Sequence, residues 1–457
     1  MAAIDDIVHL LRRTEYVARP ERVTELTPLT YAAAVDNVLN VPAGGIAIPA
    51  GLQVHDDGNS WNQYTQAVQW WFERMARAST RPIQEKMAFF WHGHFCSEWG
   101  KVFDTGAMMQ QNKLWRDSGL GNVRTLAQAM AIQPAMLLYL DNAENRKSSP
   151  NQNFARELLE LFLLGVGNYT EADVEAATSA WTGHGIDWDT HQYVFRASHH
   201  DSTVRTFLGR PISNGPDVIN VVLGPDAVIA VGPDAGVKAR VVAARFLSKK
   251  LWEAFAYQSP AAGIVNALGD VLVANDFAVT PWVRAMLNRP EFLSTTARQG
   301  LVKTPVEYIA TLLYHSGIAA SVAHPEWYAE DMGQAMFYPP NVSGWKVNGY
   351  WVNASAASAR AAFAGNLRWR MQNGRGSTPP VPLTLQSGSW TWAALDAMSS
   401  AAFVDTLAAA FDLQLSTATR NALVAWSNSE KSPWGQYWSR SSNGLLLAMI
   451  APEMNVA

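Results

Sequence analysis

Residues 139–183, YLDNAENRKSSPNQNFARELLELFLLGVGNYTEADVEAATSAWTG, constrain the fold more than any other stretch of the chain. Pro150 followed by Asn151 or Asn153 reads as a helix start, because an Asn side chain accepts hydrogen bonds from the free amides of a first turn. Gly165 and Gly167 read as its stop. At about 100° per residue, Phe154, Leu158, Leu161 and Phe162 share one face. Leu159 and Leu163 cover the back, Leu164 the other flank, and only Arg156 and Glu160 form a polar stripe. A helix apolar nearly all round is a buried helix. Glu157 falls between Leu161 and Leu164, inside the apolar arc, so it needs either a structural partner or a chemical role. Thr170-Glu171-Ala172-Asp173 is a capping-box variant with Asp in place of Glu or Gln. A second helix then runs to Gly183, and the glycine turn between the two predicts an antiparallel helical hairpin.

The same helical pattern recurs along the chain. Helix, turn and helix fill residues 1–38, and loop follows at 41–60. WNQYTQAVQWWFERMARA is amphipathic, and Pro82 opens IQEKMAFFWHGHF. Residues 184–236 differ: HGIDWDTHQYVF, DVINVVLG and DAVIAV are rich in Gly, Asp, His and β-branched residues, which predicts a short hairpin or loop-rich insertion. Helices resume at 237, a Pro/Gly/Trp loop spans 338–353, a polar linker spans 373–391, and helix returns over 392–451. The expected fold is mainly α: a multi-helical, bundle-like core over 1–372 with a small irregular or β-hairpin insertion around 184–236. The linker and a helical segment over 392–457, packing on the core, complete it.

Composition narrows the partners. The chain is 457 residues long, 48% hydrophobic and only 16% charged, which implies a large core and a weakly charged surface. A net charge of −4 argues against nucleic acid or an anionic membrane as the main partner. No run approaches the roughly 18 apolar residues of a membrane span. Cys96 is the single cysteine, so no intramolecular disulfide forms. MAAIDDIVHLLRRTEYVARPERV lacks a signal peptide's apolar segment, and the chain as it stands reads as cytoplasmic. The 19 Trp suggest aromatic walls in a groove, as in sugar stacking, beside those that fill the core.

Several segments together resemble the bacterial family catalogued as Domain of Unknown Function 1800. They are LLRR, IQEKMAFFWHGHF, QPAMLLYLDNAENRK, SPNQNFARELLELFLLGVGNYTEADVEAATSAWTG, HHDSTVRTFLG, KKLWEAF, VKTPVEYI, YPPNVSGW and the closing LLLAMIAPEMN. The resemblance implies no reaction. Members of the family are commonly exported, often with a sulfatase-like protein encoded nearby, so the resemblance implies export if a leader was removed and leaves room for a partner protein; this chain departs from the pattern by showing no leader.

Four constellations could carry chemistry. His92-Gly93-His94, with Cys96 nearby, offers metal ligands if Gly93 ends the helix, since i and i+2 converge only in extended chain. The alternative is an aromatic core with hydrogen-bonded imidazoles. His199-His200-Asp201, flanked by Arg196 and Arg205, offers a general base or metal ligand, or an exposed polar turn. Asp141, Asn142, Asn145, Asn151 and Asn153 could present amides and carboxylates to sugar hydroxyls, or oxygen ligands to calcium (though without the regular spacing of a calcium loop), or simply cap helices. The segment 341–345, with Tyr350 and Trp351, suits a cleft wall or a packed turn. Nucleotide-binding glycine loops, HExxH and the Gly-x-Ser-x-Gly elbow are all absent.

Three functions follow as expectations. The first is a hydrolase acting on a glycan, with Glu157 as acid, Asp201 and His200 as catalytic partners, and Asn142, Asn153, Trp345 and Trp351 binding substrate. The second is a metalloenzyme holding a divalent ion through His92 and His94 with Glu157, His200 and Asp201. The third is a non-catalytic scaffold or binding protein in which Glu157 pairs with Arg146, Arg196 or Arg205.

Overall fold

The computed structural model describes residues 2–42, 46–55, 60–373, 383–430 and 437–457. Parts of the expected 41–60 loop and 373–391 linker therefore lie outside the described residues.

The fold is mainly α. Helices run from Ile4–Glu15 to Tyr437–Ile450, and the sheets among the described residues are three two-stranded antiparallel hairpins. Two of them fall in the insertion: His184–Asp187 with Gln192–Phe195, and Arg205–Phe207 with Arg210–Ile212. One β-branched run there, DVINVVL, is instead part of a helix, Gly215–Leu223. Asn214 caps it by accepting from Asp217 N–H, and Pro216 sits in its first turn, so local capping outweighs β propensity.

Pro82–His94 is the central helix. Ile4–Glu15, Thr105–Ser118 and the π-turn Arg74–Ala78 all pack against it. Trp71, Trp91, Trp115, Trp181, Trp252 and Trp282 are fully buried, so these six build core rather than a groove wall. Among them lies a carboxylate the sequence reading passed over, Glu85. It accepts from Arg74 Nε at 2.7 Å, from Arg116 Nε at 2.9 Å and from Trp71 Nε1 at 3.0 Å. A fully buried acid between two guanidinium groups is a structural ion pair, whose members hold one another in place.

The helical hairpin forms as predicted, with one difference. Asn151 Oδ1 accepts from Asn153 N–H at 2.9 Å, and Asn153–Glu157 begins the first helix. Thr170 and Asp173 form a complete capping box on Glu171–Ala180. Between them, Leu158–Leu163 winds as a π-helix, closed by the i→i+5 bond from Leu164 N–H to Leu159 carbonyl at 2.8 Å. Glu157 is half-buried rather than buried, because its face, shared with Leu161, is the one turned partly from the core.

Ala354–Gln372 packs against Tyr437–Ile450. The chain's last residues pair with 301–303: Ala457 N–H donates to Leu301 carbonyl at 2.9 Å and Lys303 N–H to Asn455 carbonyl at 2.8 Å. This tail contact fixes the segment that leads into Pro305–Ser316. No helix among the described residues is long and apolar enough to cross a membrane.

Candidate functional site

Pro82 pre-sets the first turn, and the helix then continues unbroken to His94. Gly93 does not end it, so His92 and His94 point about 200° apart. His92 lies between Trp115 and Trp345, with ring centroids at 4.8 and 4.9 Å, and its Nε2 accepts from Phe337 N–H at 3.2 Å. Burial pushes its pKa down to about 3. Cys96 bonds to the carbonyls of His92 and Gly93 at 3.3 Å, and burial pushes its thiol up to about 12, away from the thiolate a metal needs.

His94 faces the other way, onto a cavity of about 270 Å³. Four pieces line most of it: the Pro82–His94 helix, the end of Ala239–Phe255, the segment 301–307 that begins Pro305–Ser316 and the loop at 343–348, with Gln334 beside them. Phe89, Phe90, Phe255 and Trp345 give it an apolar wall. Gly344 lets the loop close: its φ is +82°, and a Cβ there would stand 2.3 Å from Gly93 carbonyl oxygen.

Lys250 is the chemical centre of this wall. Its Nζ donates to His94 Nδ1 at 3.2 Å and to Leu161 carbonyl at 3.0 Å, and lies 4.6 Å from the Phe246 ring centre. Since His94 Nδ1 accepts, its Nε2–H donates to Phe162 carbonyl, at 3.0 Å. Burial and the neighbouring Lys250 charge hold His94 neutral, well below its ordinary pKa. The two carbonyls belong to the last turn of the π-helix, where a helix leaves its acceptors free. Burial lowers Lys250 from 10.5 to about 8. A neutral amine has two hydrogens and one lone pair. His94 and Leu161 take both hydrogens, which leaves the lone pair without an internal partner among the described residues.

A second pair borders the cavity. Lys86 forms an ion pair with Glu307, and its Nζ also lies 4.9 Å from the Tyr16 ring centre. Burial opposes ionisation of Glu307, but Lys86 outweighs it, and the carboxyl stays below its ordinary range. Glu307 also completes the capping box with Thr304, so the helix start fixes its position. Glu253, one turn beyond Lys250, accepts from Ser259 N–H at 3.2 Å.

His94 and Trp345 share the cavity wall. Glu157 has no hydrogen-bond or ion-pair partner among the described residues. Burial first, then Glu160, raises its pKa, while Arg156 opposes. Arg156 itself turns to Glu171, at 2.7 Å. Asp201 is fully engaged by Ser179 Oγ at 2.7 Å, Arg205 at 2.9 Å and Thr203 N–H at 3.0 Å. Those bonds, with Thr203 foremost, hold its carboxyl far below the ordinary range. Both nitrogens of His200 face the protein itself, Nδ1 at 2.9 Å from Thr182 carbonyl and Nε2 at 3.1 Å from Ser213 carbonyl. Asn142 is buried and bonds to Trp181 carbonyl, Asn153 bonds to Asp141, and Trp351 is 3% exposed. Among the described residues, His92, His94, His200, Glu157 and Asp201 do not gather three donor atoms at one point. The sequence reading missed Lys250 and Glu307. Lys250 sits in KKLWEAF, where a lysine beside Leu251 and Trp252 was the available signal.

Residues 9–456 match the sequence model of a family described as a protein of unknown function, DUF1800. No curated protein and no solved structure matches the chain.

Proposed function

Because the chain belongs to the DUF1800 family, whose description assigns no reaction, we propose a function from the geometry of the cavity: a small-molecule site in which Lys250 is the reacting amine. The ligand class is a small carbonyl compound with a negative charge, such as a 2-oxo acid. One observation carries the reading: both hydrogens of the neutral Lys250 amine are taken by His94 and Leu161. That leaves its lone pair as the only group it can offer a ligand. An apolar pocket with a few convergent polar groups and a perturbed pKa is the usual form of a ligand site.

The chemistry is imine formation. The amine lone pair attacks the carbonyl carbon. The resulting carbinolamine loses its oxygen as water, and a C=N bond to Lys250 remains. With a pKa of about 8, roughly a tenth of the amine is neutral at pH 7. While Lys250 is protonated, as most of it is at pH 7, Lys86, Lys250 and Lys346 outnumber Glu253 and Glu307 around the cavity, which favours first binding of an anionic ligand. The test is borohydride trapping with a panel of 2-oxo acids and neutral aldehydes, read by peptide mass spectrometry. Selective modification at Lys250, lost in Lys250→Met, supports the reading. Equal modification of surface lysines, unchanged by that substitution, rejects it.

Glycan hydrolysis keeps one supporting observation: Glu157 is a half-buried carboxyl without a partner among the described residues and with a raised pKa, as a general acid requires. The acid whose charge acts on it is Glu160, while the oxygens of Asp201 are occupied by Ser179 and Arg205. Retention of full activity by Glu157→Gln on any glycan found to be cleaved would remove this reading.

A further inference from the structure

Away from the Lys250 cavity, two imidazoles and a carboxylate converge from three separate segments. Asp104 Oδ2 lies 3.1 Å from His55 Nδ1 and 2.9 Å from His191 Nδ1. The two rings stack with centroids 3.7 Å apart. Among the described residues this is the one group of three such side chains whose donor atoms all lie within 4.8 Å of one another. We propose that His55, Asp104 and His191 bind a divalent transition-metal ion.

Each segment is built to aim its side chain. Asp104 caps Thr105–Ser118: its Oδ1 accepts from Ala107 N–H at 2.9 Å, so Oδ2 is fixed toward the histidines. An outer hydrogen bond of this kind is how proteins orient a metal-binding carboxylate. Gly106 lets the segment before His55 lie against the same helix start, since a Cβ there would stand 2.9 Å from the Val54 backbone. His191 ends the turn of the His184–Asp187 hairpin at φ +55°, a left-handed conformation costly for a side chain with a Cβ. The turn is held by Asp187, whose Oδ1 accepts from Asp189 and Thr190 N–H at 3.0 Å.

The donor set also fits. Ligands at about 2.0 Å around a tetrahedral ion stand about 3.3 Å apart, close to the two Asp104–histidine spacings of 3.1 and 2.9 Å. Two imidazole nitrogens with one carboxylate oxygen suit zinc, iron(II), manganese or cobalt rather than magnesium or calcium. Asp104 is 4% exposed and the histidines 21% and 26%, so the ion would be anchored from inside and reachable from outside. An adjoining cavity of about 510 Å³, lined also by Gln110 and Asp189, opens on these residues. Three protein ligands with an open position are the arrangement of a catalytic rather than a structural site.

The test uses the full chain, stripped with chelator and reloaded with zinc or cobalt(II). The expected result is one equivalent of metal per chain, with visible cobalt absorption bands. Affinity should fall about tenfold or more in His191→Ala, His55→Gln and Asp104→Asn. Asparagine keeps the helix cap, so Asp104→Asn should retain its circular dichroism and melting temperature. His324→Ala, a histidine paired elsewhere with Glu326, should bind like the native chain. No binding by the native chain after reloading, or equal binding by all three site variants, overturns the proposal. So does an equal loss in His324→Ala.

Discussion

Glu85 and Glu157 sit on two helices of similar apolar character, yet their surroundings differ. Glu85 is wholly enclosed and bonded to Arg74 and Arg116, while Glu157 is half-buried and has no partner among the described residues. Glu85→Gln leaves two enclosed guanidinium groups without a counter-charge and should destabilise the fold by about 3–5 kcal/mol in denaturant unfolding. Glu157→Gln should change stability by less than about 1 kcal/mol, since it removes no partner. Equal effects would show that Glu157 carries a structural role. From the sequence, only the presence of an acid in an apolar helix was legible for either residue. Which one meets arginines depends on chain distant in sequence, as does the pairing of Lys250 with His94, 156 residues apart.

Helices and caps were the most legible elements. The capping box at Thr170, the Asn start at 151–153 and the glycine turn follow from local bonding, and local bonding is what sequence spacing encodes. The π-turn at Leu158–Leu163 was not legible. Its final carbonyls are satisfied by Lys250 and by His94, 89 and 68 residues away, and no periodicity reports that. The continuity of the Pro82–His94 helix through Gly93 was also left open, and it is what separates the two histidines. At this scale Gly344→Ala is the informative change. It combines a strained φ with a backbone clash against Gly93, so the 341–345 loop must move off the cavity. Unfolding should show a loss of roughly 1–3 kcal/mol. Trapping of carbonyl compounds at Lys250 should weaken as well; unaltered trapping would mean that the loop does not shape the site.

For the whole molecule, the mainly α character and the hairpin insertion were readable because they follow from composition and periodicity. The cavity was not, since four pieces distant in sequence line most of it. Enclosure on this scale also sets the response to acid. Burial holds His9, His92 and His315 near a pKa of about 3 and His184 near about 4, against 6.5 when unfolded. As pH falls below 6.5 the unfolded chain takes up protons that the folded chain refuses, so stability declines down to the folded values. Each enclosed histidine contributes on the order of a few kcal/mol to that decline. The melting temperature should therefore drop steeply between pH 6.5 and 4, and a flat profile would contradict this. Lys250, held by His94 and Leu161 at the cavity wall, is lowered by the same enclosure. The direct measurement is the pH dependence of its acylation or reductive alkylation rate, followed by mass spectrometry beside the surface lysines. A midpoint near 8 at Lys250, with protection by a trapped 2-oxo acid, is the predicted result. A midpoint near 10.5, shared with the surface lysines and indifferent to carbonyl compounds, would contradict it.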